Sequence, residues 1–140
     1  MNDIETAVEY FNKGCSCSQA VLAAYGPKLG LDRESALKIA STFGGGIART
    51  GQTCGAVTGA LMALGLKYNM DDPKAKDKSI ALAREFLDKF KACNGSTTCR
   101  ELVGYDVSTP EGFAYARENK LFGNCGKFVR NAAEIVEDML

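Results

Sequence analysis

Cys17, Cys54, Cys99 and Cys125 each follow a Ser, Thr or Asn that reads as a helix cap, and each opens an apolar stripe at helical spacing. Ser16 with Gln19, and Thr98 with Glu101, have the spacing of a capping box, in which two side chains satisfy each other's free backbone N–H groups. At a helix start, unpaired N–H groups and the helix dipole favour negative charge by roughly 0.3 to 1 kcal/mol. A thiol placed there is expected to shift toward thiolate, the form that attacks disulfides and binds metals. The competing reading is that cysteine is a small hydrophobe filling apolar faces. Four such positions together favour one centre, if they converge.

Two chemistries draw on these four residues. Four thiolates suit an iron–sulfur cluster, although the spacing is not that of a ferredoxin. Alternatively a metal-free dithiol pair cycles with a disulfide, with Cys54 as the attacking thiolate and another of the four resolving it. A third possibility is a non-catalytic partner of a transporter or oxidoreductase, with inert thiols. Zinc is the weaker metal, because structural zinc sites draw on C-x-x-C knuckles and the chain has only C-S-C at Cys15 and Cys17. Cys15 and Cys93 fit the centre less well, though Cys93 and Cys99 are near enough in sequence to pair across the loop NGSTT.

The segment FGGGIARTGQT is the clearest loop. Gly46 to Thr53 comes within one residue of the phosphate-binding pattern G-x-x-x-x-G-K-[ST], but Gln52 replaces the lysine and no strand precedes it. Its glycines instead let backbone fold closely around a group at Cys54. Gly45, Gly46, Arg49 and Gly55 are therefore the candidates to border a bound cofactor, with Arg49 able to approach a thiolate or cluster.

The elements that must position these residues are helical. Asp3 to Lys13 carries Ile4, Ala7, Val8 and Phe11 on one face and stops at Gly14. Cys17 to Tyr25 follows, then a helix capped by Asp32 with Ala36, Ile39 and Ala40 inward, to about Thr42. Cys54 to Lys67 is almost wholly apolar, with Gly55, Gly59 and Ala63 forming a smooth surface. Asp72 and Pro73 mark the next start, with Ile80, Ala83, Phe86, Leu87, Phe90 and Cys93 on its face. Short helices are expected at Cys99 and at Pro110, and a final one from about residue 125 to the end buries Phe128, Val129, Ala132, Ala133, Val136 and Met139. Strand alternation is nearly absent. The reading is an all-α bundle of six to eight helices around a central apolar helix at about residues 54–67, in one domain over residues 1–140.

Seventeen basic and seventeen acidic residues cancel, with no long run of one sign, so nucleic acid and anionic membrane are poor partners. The polar, acidic N-terminus resembles no secretory signal, and no apolar stretch reaches the roughly 20 residues of a membrane span. A cytoplasmic location is expected, where grouped cysteines more often mean metal or redox work than stable crosslinks. The chain has no histidine, which removes Ser–His and Cys–His catalysis and mixed Cys/His zinc sites.

The segments GCSCSQAVLAAYG, FGGGIARTGQTCGAVTGALMALGL, TTCREL and NCGKFVRNAAEIVEDML, in that order, resemble the C_GCAxxG_C_C family of redox-type proteins. Its central motif C-G-A-x-x-G is present as Cys54, Gly55, Ala56, Val57, Thr58 and Gly59. The resemblance places the family's four cysteines at Cys17, Cys54, Cys99 and Cys125, leaving Cys15 and Cys93 as additional. It implies redox activity without a substrate, and a redox or transporter-associated partner. A similar region in split-Soret cytochromes is associated with an iron–sulfur centre, which tilts the expectation toward a cluster. Whether two chains share a site in a homodimer is left open.

Overall fold

A computed structural model describes residues 2–68 and 73–140. Among these residues eight α-helices run in order: α1 (Asp3–Asn12), α2 (Cys17–Tyr25), α3 (Arg33–Ile39), α4 (Gly55–Tyr68), α5 (Pro73–Asn94), α6 (Cys99–Val103), α7 (Pro110–Glu118) and α8 (Cys125–Met139). Short 3-10 turns at Pro27–Leu29 and Leu121–Asn124 lead out of α2 and into α8. The expected all-α architecture is borne out. Among the described residues the one β-type pairing is an isolated antiparallel bridge between Thr53 and Thr98.

The helix starts follow their caps where a short polar side chain precedes an apolar run. Asn2 accepts from the Glu5 N–H, Asp32 from Ser35 and Thr109 from Gly112. Asp72, expected to cap α5, lies outside the described residues. α4 sits at the centre, packed on α2, α5 and α8, while α1 closes over α2 and α8. α8 buries the predicted face from Cys125 through Met139. Tyr25, fully buried, ties α2 to α8 by donating its hydroxyl to the Ala133 carbonyl at 3.1 Å.

Two apolar faces are narrower than predicted. Ile39, at the last position of α3, is 52% exposed, and Ala36 and Ala40 alone are buried there. α5 packs through Leu82, Phe86 and Phe90, each one turn apart, whereas Ile80 is 54% exposed. At about 100° per residue, Ile80 lies roughly 120° around the helix from Phe86, so one seam cannot bury both. Cys93 is exposed near the end of the same helix.

The small-residue stripe on α4 has the predicted use. A Cβ added at Gly59 would stand 2.7 Å from the Ser18 carbonyl oxygen, and one at Gly55 would stand 3.0 Å from the Ser18 nitrogen. α2 and α4 thus touch backbone to backbone, and Ser18 satisfies its buried hydroxyl on the Ala40 carbonyl at 2.9 Å. Gly59→Ala will cost about 1–3 kcal/mol by prising these helices apart. Gly65→Ala, with nothing within 4 Å of the new carbon, will instead gain up to about 1 kcal/mol of helix propensity. Urea unfolding of the two variants checks the pair, and equal effects would remove the close crossing as their cause.

Candidate functional site: a four-cysteine cavity

Each of the four cysteines reaches the site by a different local device. Ser16 caps α2 through a reciprocal box with Gln19, which fixes Cys17 as the first helical residue. Cys54 is not inside its helix. It occupies the cap position itself, its carbonyl accepting from Val57 at 3.0 Å and Thr58 at 3.1 Å, while the N–H groups of Ala56 and Val57 point toward its sulfur. Thr53, expected to cap, is held instead in the bridge to Thr98.

α6 also departs from expectation, because Thr98 makes no side-chain cap. The Cys99 N–H donates to the Gln52 carbonyl at 2.6 Å and the Arg100 N–H to the Gly51 carbonyl at 3.1 Å, so main chain from the glycine loop takes the place of the box. With Cys54 N–H donating to the Thr97 carbonyl at 2.8 Å, these bonds staple Cys54 beside Cys99. Asn124 likewise makes no cap. It is in helical conformation because α8 continues directly from the preceding 3-10 turn, and Cys125 starts α8 at that junction.

The loop between α3 and α4 is a left-handed turn rather than a slack connection. Gly45, Gly46, Ile47, Ala48 and Arg49 have φ of 66°, 73°, 65°, 52° and 58° in succession. The three non-glycine residues each cost about 1–2 kcal/mol in this region. Opposing that cost, Ala48 N–H donates to Thr42 at 2.8 Å, Arg49 to Gly44 at 3.0 Å, Gly51 to Gly45 at 3.0 Å and Gln52 to Gly46 at 2.8 Å. The turn presses on Cys99, since a Cβ at Gly46 would come 2.6 Å from the Cys99 Cβ, while the start of α4 crowds Cys17, a Cβ at Gly55 standing 3.2 Å from its Cβ.

All four sulfur-bearing residues line one cavity of about 600 Å³, open to solvent on one side. Gly45, Gly46, Arg49 and Gly55 line it too. Arg49 lays its guanidinium over the Phe113 ring at 4.1 Å, with Arg117 at 4.8 Å from the same ring. Sequence reasoning placed Phe11 and Phe128 on apolar helix faces but missed that they, with Phe113 and Phe122, form an aromatic part of the cavity wall. Phe113 and Phe122 lie in segments too short to show a period. Cys15 and Cys93 are not on the cavity wall, and all six cysteines are free thiols, so no Cys93–Cys99 bond forms.

The family model described as "Putative redox-active protein (C_GCAxxG_C_C)" matches residues 15–139, nearly the whole chain. The chain belongs to that family. Comparison with curated proteins and with solved structures returns no match. In this C_GCAxxG_C_C protein the motif Cys54 to Gly59 therefore has two structural duties: Cys54 supplies a cavity thiol, and Gly55 with Gly59 lets α2 bring Cys17 alongside.

Burial governs the protonation of this set more than the helix starts do. Burial pushes the Cys54 thiol up to about 12, against the lowering pull of the Ala56 and Val57 N–H groups, and pushes Cys99 up to about 11. Cys17 is held well above the ordinary thiol range, first by its interaction with the Cys125 sulfur and then by burial. Cys125 moves the other way, because the Cys17 thiol donates toward it. Burial thus works against the thiolate expected at Cys54, and of the four thiols Cys125 is the one shifted toward thiolate.

A pH effect on stability follows for reduced, metal-free protein. Cys54 and Cys99 stay protonated in the fold above the ordinary thiol value of 9.0, where the unfolded chain has already lost these protons. Their contribution is complete below about pH 8.5 and is lost as pH rises toward 11–12, at up to about 1.4 kcal/mol per pH unit for each thiol. Urea midpoints at pH 7.5 and 10 will show the fall, and Cys54→Ala will make it shallower. An identical slope in the variant would show that Cys54 does not titrate out of register with the unfolded chain.

As donors, four cysteines on one cavity fit a thiolate-ligated metal centre. Among the described residues, however, no three His, Cys, Asp or Glu side chains gather closely enough to hold a single metal ion. The donor chemistry fits, and the cavity of about 600 Å³ is larger than a single ion needs. No helix among the described residues is long and apolar enough to cross a membrane.

Proposed function

We propose that this protein is a cytoplasmic redox protein in which Cys17, Cys54, Cys99 and Cys125 ligate an iron–sulfur cluster for electron transfer. The observation that carries the reading is that thiols from four separate segments face one cavity, while Cys15 and Cys93 do not. Such a cluster supplies reversible one-electron chemistry when bound. The chain's own residues supply the rest. The α2 cap and the Cys54–Thr97 and Cys99–Gln52 hydrogen bonds set the ligands' positions. Metal binding displaces the thiol protons that burial otherwise retains, so loading releases protons and strengthens with pH. The glycine loop and the phenylalanine wall limit water on the remaining sides, and a redox or transporter-associated protein is the expected partner.

A second reading has its own observation, the direct interaction of Cys17 with the lowered Cys125. In a metal-free cycle these two thiols would form a disulfide, releasing two protons and two electrons to an oxidant, with Cys125 as the attacking thiolate.

Iron and acid-labile sulfide, with a visible spectrum, on protein expressed and purified without oxygen will decide. Stoichiometric iron and sulfide are expected. Colourless, metal-free protein with a reversible two-electron potential would replace the cluster with the Cys17–Cys125 pair.

A further inference from the structure

The cavity holds more than the cysteines need. Even a four-iron cluster has eight core atoms, and at a full water's share of about 30 Å³ each they fill roughly 240 Å³. More than half of the approximately 600 Å³ stays free, open to solvent and within the usual size of a ligand pocket. The free part has a definite chemistry. Among the described residues Arg49 is the one charged residue lining it, and no Asp or Glu does so. The guanidinium sits 4.1 Å over the Phe113 ring and, among the described residues, makes no ion pair, which leaves its N–H groups available to a ligand. Next to it the backbone N–H groups of Gly44, Gly45 and Gly46 have no acceptor among the described residues, a run of amides suited to anionic oxygen. Phe113 and Phe122 meet at a tilt, ring centroids 5.4 Å apart, and supply an apolar wall beside this polar corner.

We propose that this space is a binding pocket for a small organic carboxylate. Its head is held by Arg49 and the Gly44–Gly46 amides, and its apolar body lies against Phe113 and Phe122, beside the thiols. The assignment rests on the cavity being the functional centre. It makes the protein one that admits a substrate to that centre rather than one that only passes electrons.

The probe is benzoate, with benzyl alcohol as its uncharged counterpart, titrated at constant ionic strength into anaerobically purified protein and followed by amide NMR. Benzoate is expected to shift the Gly44–Gly46 resonances. Benzyl alcohol is expected to bind at least about tenfold more weakly, and Arg49→Gln to weaken benzoate by about tenfold or more, the loss of one charged hydrogen-bond partner. Equal binding of the two probes, no response at these glycines, or full benzoate affinity in Arg49→Gln would overturn the pocket. Iron and sulfide are measured on the same samples. Benzoate binding to iron-free protein keeps the pocket and removes the cluster, whereas full iron without a benzoate response does the reverse. Loss of iron from Arg49→Gln would make Arg49 a support of the centre and sink its role as a ligand contact.

Discussion

Cys54→Ser will leave the protein folded and colourless. Serine is among the best helix caps, and its hydroxyl accepts from the same Ala56 and Val57 N–H groups that now point toward the Cys54 sulfur. The variant therefore separates two duties of the residue, since the start of α4 is kept and the thiolate is not. Helical circular dichroism should match the parent, while iron and sulfide fall to a small fraction of it. Cys54→Ala should lose the metal equally and about 1 kcal/mol of stability as well, because the cap goes with the ligand. Cys15→Ser and Cys93→Ser give the contrast, since neither residue lines the cavity and both variants should keep full colour. Full metal content in both Cys54 variants would remove Cys54 from the ligand set. Loss of metal from Cys93→Ser would mean that the cavity is not the binding site.

How far these residues were legible depended on the range of the interactions that place them. Cys17 was read well because its device is local: Ser16 and Gln19 satisfy each other within one turn. The stripe from Cys125 to Met139 was equally legible, since 15 residues show a 3.6-residue period without ambiguity. Thr98 and Glu101 have the same local pattern as Ser16 and Gln19, yet α6 is capped by Gly51 and Gln52, some fifty residues earlier. Only the folded chain brings those carbonyls to the helix start, and once they arrive the side-chain cap is redundant. The burial of Cys54 was hidden from the sequence for a related reason. A helix-start contribution of 0.3 to about 1 kcal/mol is small beside the burial that, against the Ala56 and Val57 N–H groups, pushes Cys54 up to about 12. Sequence spacing shows where a helix begins. It does not show how much protein covers that point.

The left-handed turn makes the same distinction testable through backbone rather than side chains. Gly46→Ala will cost about 2–5 kcal/mol. One part is conformational, since φ of 73° strains an alanine by about 1–2 kcal/mol. The other part is crowding. The new carbon would lie 2.6 Å from the Cys99 Cβ, 2.6 Å from the Gln52 nitrogen and 2.8 Å from the Gln52 oxygen, and that oxygen is the acceptor for the Cys99 N–H. None of these is the free end of a flexible side chain, so relief requires moving the loop off α6, at a further cost of about 1–3 kcal/mol. Gly104→Ala supplies the control, because its φ of 83° is equally strained and nothing lies within 4 Å of the added carbon. The difference between the two urea unfolding free energies isolates the crowding, and Gly46→Ala alone should also lower iron loading by displacing Cys99. If Gly46→Ala costs no more than Gly104→Ala, the loop does not bear on Cys99, and the glycines serve the turn without shaping the cysteine cavity.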